Sequence, residues 1–122
     1  LKEITYLHAE GYAAGELKHG TISLINENAV CFATATRKGV FEKTLSNGME
    51  VKTRGGKLYL LTNIESLDVE SDVTVLDIPK TCDRFSPILS VIPYQLFSYY
   101  LAVYLKKDVD KPQNLAKSVT VE

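Results

Sequence analysis

Apolar residues fall along this chain in two distinct periods. Leu1, Ile4 and Leu7 recur at helical spacing around the charged Lys2 and Glu3, so residues 1–18 read as helical. Gly11 and Gly15 interrupt that pattern at a cost of roughly 1 kcal/mol each, which predicts a break near Gly11, and Gly20 suits a turn. Residues 29–35 (AVCFATA) form a short continuous apolar run, the pattern of a strand covered on both faces and hence of a parallel strand. Phe41, Leu45 and Met49 then recur every fourth position through residues 39–54, predicting a helix with one inward stripe that ends at Gly55-Gly56. Residues 57–62 (KLYLLT) and 73–78 (VTVLDI) read as two more short strands, the second stopped by Pro79. Strand, helix, strand is a βαβ unit with a right-handed crossover. Ser86 before Pro87 reads as an N-cap and first helical position, opening a helix over residues 87–106.

That last segment is apolar almost all round. Its 19 residues from Pro87 to Leu105 are nominally long enough to span a membrane. Ser90, Pro93, Gln95, Ser98 and four tyrosines interrupt it, so the membrane reading is rejected. A helix of this kind is otherwise buried on several sides, which predicts a position between the sheet and a second domain or subunit. Residues 108–122 carry Pro112 and little periodicity, and read as an ordered or semi-ordered extension.

Composition narrows the classes. With 122 residues, 45% of them apolar, the chain supports one core. Fourteen basic against fifteen acidic side chains give a net charge of −1, which leaves no basic field for a phosphate backbone and argues against nucleic acid as a partner. Cys31 and Cys82 are too few for a disulfide framework, so reduced thiols in a cytoplasmic protein are the simpler expectation. The chain starts at Leu1 and its only methionine is Met49, so its start reads as a cut within a longer protein.

Both histidines lie in one polar region, His8-Ala9-Glu10 and Glu16-Leu17-Lys18-His19. Glu16 and His19 have the i, i+3 spacing of a carboxylate-bridged metal site, but no second E-x-x-H segment exists to complete one. Solvated helix charges are the simpler account, and no metal is expected. Lys117 by itself is a charge on a tail. There is no glycine-rich phosphate cradle, no G-x-S-x-G and no C-x-x-C.

Three segments carry a resemblance. Leu1-Lys2-Glu3-Ile4-Thr5-Tyr6 with His8-Ala9-Glu10, then Ala14-Gly15-Glu16-Leu17-Lys18-His19-Gly20, then Asp108-Val109-Asp110-Lys111-Pro112-Gln113-Asn114 running into Leu115-Ala116-Lys117-Ser118-Val119-Thr120-Val121-Glu122, resemble the C-terminal part of the glutamine–fructose-6-phosphate aminotransferase (glucosamine-6-phosphate synthase) family. The resemblance runs from the first residue to the last. It implies an α/β fold of SIS type, a doubly wound parallel sheet flanked by helices, with residues 1–122 forming a truncated second SIS subdomain whose tail, residues 108–122, reaches the active site.

By the same resemblance, Glu3 matches the glutamate that moves a proton between C1 and C2 of the sugar. His19 matches the histidine that opens the fructose ring, and Lys117 the tail lysine that forms an imine with the sugar carbonyl. The implied reaction joins fructose 6-phosphate and glutamine-derived ammonia into glucosamine 6-phosphate, without a cofactor. Implied partners are the sugar phosphate, the first SIS subdomain, the glutaminase domain and a second copy in a homodimer, in the cytoplasm. One departure stands inside the motif: family members usually continue His-Gly-Pro, whereas this chain has His19-Gly20-Thr21.

The residue types suit that chemistry. A partly desolvated carboxylate has its pKa raised toward the operating pH, lysine forms Schiff bases with ketoses, and imidazole relays protons near neutrality. The alternatives are a non-catalytic SIS module that binds sugar phosphate and a purely structural dimerisation fragment. Geometry adds a constraint: one straight helix would set Glu3 and His19 about 24 Å apart at 1.5 Å per residue. Either the chain folds back near Gly11 and Gly15, or His19 of one subunit completes the site holding Glu3 of another. The resemblance favours the second.

Overall fold

The computed structural model describes residues 1–65 and 69–114. The chain divides into two compact units, Gly11–Ser90 and a second made of Leu1–Glu10 with the segment from Val91 onward.

The larger unit is built on three parallel strands in the order β1-β2-β3: β1 (Val30–Ala35), β2 (Lys57–Thr62) and β3 (Thr74–Asp77). The central strand aligns Val30 with Lys57 on one side and Tyr59 with Thr74 on the other. The run 57–62 is therefore a strand at the predicted residues, and its Leu60, Leu61 and Thr62 are fully buried. Parallel pairing requires a crossover, supplied between β1 and β2 by α2 (Phe41–Lys52) after a short 3₁₀ turn, Lys38–Val40. The every-fourth-residue stripe packs as expected: Phe41 is buried with Ala35, Leu58, Leu60 and Val73, and Leu45 and Met49 lie against that cluster. On the opposite face of the sheet, the registered pair Phe32 and Tyr59 stack at 5.0 Å between ring centroids.

Gly55-Gly56 ends α2 for two separate reasons. Gly55 adopts φ 87°, its N–H bonds to the Lys52 carbonyl, and the Gly56 N–H bonds to that of Val51, the paired closure that favours glycine in the left-handed position. Gly56 is required by space, since a Cβ there would stand 2.7 Å from a Val51 methyl. In the helix's last turn, Lys52 bonds both Glu70 and Asp72 ahead of β3. The Asp72 contact is the main cause that raises the Lys52 pKa, and Lys52 in turn lowers that of Asp72.

The helix expected over residues 1–18 is corrected. Helix α1 covers only Lys2–Thr5 and stops at Tyr6, which takes the left-handed conformation (φ 62°, ψ 16°). The Thr5 hydroxyl donates to the Leu1 carbonyl and accepts the Leu7 N–H, a local bond that competes with continuing the helix. The break thus falls at Tyr6 rather than Gly11. Further on, Ala14–His19 and Thr21–Leu24 are short 3₁₀ segments that turn at Gly20. Thr21 opens the second of them, a first-turn place that proline also favours.

Helix α3 (Ser86–Tyr104) contains Pro93 and matches the predicted span. One expectation about it changes. Ser86 does not act as a side-chain cap; its hydroxyl donates to the Asp83 carbonyl at 3.0 Å and accepts from Thr36 at 3.3 Å. Within this chain its burial is one-sided: Ser86, Ser90, Ser98 and Ala102 are buried, while Ile88, Leu96, Tyr99, Tyr100 and Tyr104 are exposed. No helix among the described residues is long and apolar enough to cross a membrane.

α3 closes with the same paired bonds as α2, from Lys106 N–H to Val103 and Lys107 N–H to Ala102, both 2.9 Å, but with a lysine at φ 56° where α2 has Gly55. A Cβ in that conformation is disfavoured by about 1 kcal/mol or more. Lys106→Gly is therefore expected to stabilise the chain by roughly 0.5–1 kcal/mol, read as a higher urea midpoint at unchanged slope. A midpoint that falls would show that the lysine side chain contributes more than the conformation costs.

Candidate functional site

Glu3 sits on the single turn of α1, held by the Leu1 carbonyl, which accepts the N–H groups of Ile4 and Thr5 at 3.2 and 3.1 Å. After α3 the chain reverses. Asp108 Oδ1 accepts the N–H groups of Asp110 and Lys111 at 3.0 and 3.1 Å, and the Gln113 N–H then reaches the Tyr6 hydroxyl at 2.8 Å. The Lys107 ammonium lies 5.2 Å from the centre of the Tyr6 ring. Between these segments is a cavity of about 430 Å³ lined by Lys2, Glu3, Tyr6, Leu7, His8, Gln113 and Asn114. It is shallow and open to solvent, and a carboxylate on its wall can accept a proton from a molecule bound there.

His19 ends the 3₁₀ segment Ala14–His19 in the other unit, exposed, with Nδ1 2.9 Å from Glu16 Oε2. That carboxylate can fix the ring's orientation and tautomer, the usual support for an imidazole that relays protons. The i, i+3 pair noted in the sequence is thus a hydrogen bond, and among the described residues no three His, Cys, Asp or Glu converge to hold a metal ion. Lys117 lies outside the described residues. So the structure puts Glu3 beside the approach of the C-terminal segment and assigns His19 to a different unit.

A second cavity, of about 620 Å³, opens at the C-terminal end of β1 and the start of α3, lined by Thr34, Thr36, Arg37, Val40, Asp83, Arg84, Ser86, Pro87 and Ser90. The Arg37 guanidinium is 3.6 Å from Asp83. None of these residues was read from the sequence as a site residue. The available signal was position, since crevices in α/β sheets form outside the carboxyl ends of parallel strands. Both cysteines carry free thiols, and burial pushes the Cys31 thiol up, away from reactivity at neutral pH.

Comparison with known proteins supplies the remaining observations. The family model of the SIS domain matches residues 1–105. Glutamine–fructose-6-phosphate aminotransferase [isomerizing] of Caldanaerobacter subterraneus subsp. tengcongensis is 52% identical over 123 residues, and that of Bradyrhizobium diazoefficiens 53% over 125. Each match covers all of this chain and 20% of the relative, so the chain spans about a fifth of the length of these proteins. The solved C-terminal domain of glucosamine-fructose-6-phosphate aminotransferase from Francisella tularensis superposes with a TM-score of 0.83 at 40% identity, covering 91% of this chain and 32% of that one. The parallel sheet flanked by helices is the fold they have in common.

Proposed function

Because this chain belongs to the SIS domain family, we propose that it is the second SIS subdomain of a glutamine–fructose-6-phosphate aminotransferase and contributes Glu3, His19 and Lys117 to the isomerase site. The observation that carries this reading is the cavity in which Glu3 meets the segment that leads to Lys117. In this role His19 relays the hydroxyl proton as the fructose 6-phosphate ring opens. The Lys117 amine condenses with the C2 carbonyl, releasing water, and ammonia takes its place at C2 and frees the lysine. Glu3 then takes a proton from C1 and returns it at C2, leaving glucosamine 6-phosphate. No cofactor or metal enters these steps. Ammonia comes from a glutaminase domain elsewhere in the protein, the first SIS subdomain holds the phosphate, and the whole acts in the cytoplasm.

With α1 ending at Tyr6, a straight helix no longer separates Glu3 from His19, and both routes to one site stay open. A homodimer with shared sites is the favoured arrangement, because the exposed apolar side chains of α3 call for a covering surface. Mixing full-length Glu3→Gln with full-length His19→Ala, under conditions that exchange subunits, is expected to restore up to about a quarter of wild-type activity. That figure follows from half the dimers being mixed, each with one intact site. No recovery despite demonstrated exchange would mean that each subunit builds its site from its own Glu3 and His19.

A second reading is favoured by the Arg37 and Arg84 cavity: a non-catalytic module that holds a sugar phosphate. Such a protein would bind fructose 6-phosphate and form no glucosamine 6-phosphate at all.

A further inference from the structure

We propose that Tyr6 is a positioning residue, a peg that seats the C-terminal segment at the Glu3 cavity through its hydroxyl; the proposal rests on the isomerase reading above. Four observations converge on this side chain. Tyr6 holds a left-handed backbone conformation (φ 62°) that a bulky residue adopts only under constraint, with its N–H tied to the Lys2 carbonyl at 2.9 Å. Its hydroxyl accepts the Gln113 N–H at 2.8 Å, joining residues 107 positions apart. Its ring lies under the Lys107 ammonium, where the segment leaves α3. And it lines the same cavity as Glu3.

The chain around Gln113 is arranged to deliver that one bond. Asp108 organises the turn through Asp110 and Lys111, and Pro112, which has no N–H, fixes its own φ immediately before the donor. Lys117 follows four residues after Gln113, and a tether of four residues reaches at most about 14 Å. Pinning Gln113 therefore raises the effective concentration of the lysine amine at the sugar. Such a contribution is invisible in sequence, because it joins two segments from opposite ends of the chain.

Tyr6→Phe removes the hydroxyl and keeps the ring, the backbone strain and the Lys107 contact. In the full-length protein it is expected to speed amide hydrogen exchange at Gln113 about three- to tenfold, the loss of one hydrogen bond. Borohydride trapping of fructose 6-phosphate on Lys117 is expected to slow by a similar factor. Gln113→Pro deletes the donor from the other side, and combining the two changes is expected to slow trapping little more than either alone. Unchanged exchange at Gln113 in Tyr6→Phe overturns the proposal, as does faster exchange with trapping at the wild-type rate, or full additivity of the pair. If wild type itself traps no sugar on Lys117 while exchange still responds to Tyr6→Phe, the seat stands and the role given to the lysine falls.

Discussion

In the full-length protein, Glu3→Gln is expected to lower glucosamine 6-phosphate formation by roughly 10²-fold or more. Glutamine has nearly the shape of glutamate, so the turn Lys2–Thr5 and the cavity wall it forms are retained, while the proton acceptor is lost. The loss therefore belongs to the step that moves the proton between C1 and C2, and fructose 6-phosphate should still bind. Product formation under saturating sugar phosphate, together with deuterium uptake from solvent at C2, reads this directly. Near-normal formation by the glutamine variant would remove Glu3 from the mechanism, whereas no formation by the wild-type protein would favour the binding-only reading.

Leu60→Ala is expected to cost about 2–5 kcal/mol of stability. Leu60 is completely buried in β2, where it packs with Phe41 from α2, Ala35 from β1 and Val73 ahead of β3. Truncation leaves a void that three elements would have to move together to fill. Against a total of about 5–15 kcal/mol for an ordinary domain, such a loss is a large fraction of what holds the unit folded. Val30→Ala, on an outer strand at a side chain 55% exposed, is expected to cost well under about 1 kcal/mol and serves as the comparison. Urea unfolding measures both; equal, small shifts would show that the sheet's centre of packing lies elsewhere.

Periodicity made the larger unit legible. The four-residue recurrence of Phe41, Leu45 and Met49 and the Gly55-Gly56 stop define α2, and the apolar runs on either side define β1 and β2, because burial and backbone closure act on neighbours in sequence. The N-terminal segment misled for the same reason. Its apolar spacing is helical, but one hydroxyl, on Thr5, diverts the backbone, and an aromatic residue in the left-handed conformation has no sequence signature. The site was only partly readable. Glu3, His19 and Lys117 came from a resemblance, whereas Tyr6 meeting Gln113, and Arg37 meeting Asp83, depend on contacts between distant segments that no local pattern encodes.

The crossover through α2 also sets an order of events during synthesis. A parallel strand cannot find its partner across a tight turn, so β1 cannot pair with β2 until α2 and all of β2 have been made and the loop has closed. Throughout that interval the edge of Val30-Cys31-Phe32-Ala33 that β2 will cover keeps its hydrogen-bonding groups unpaired beside apolar side chains, the kind of edge that associates with other chains. Slowing the arrival of β2 should thus lower the yield of folded protein without changing the stability of what does fold.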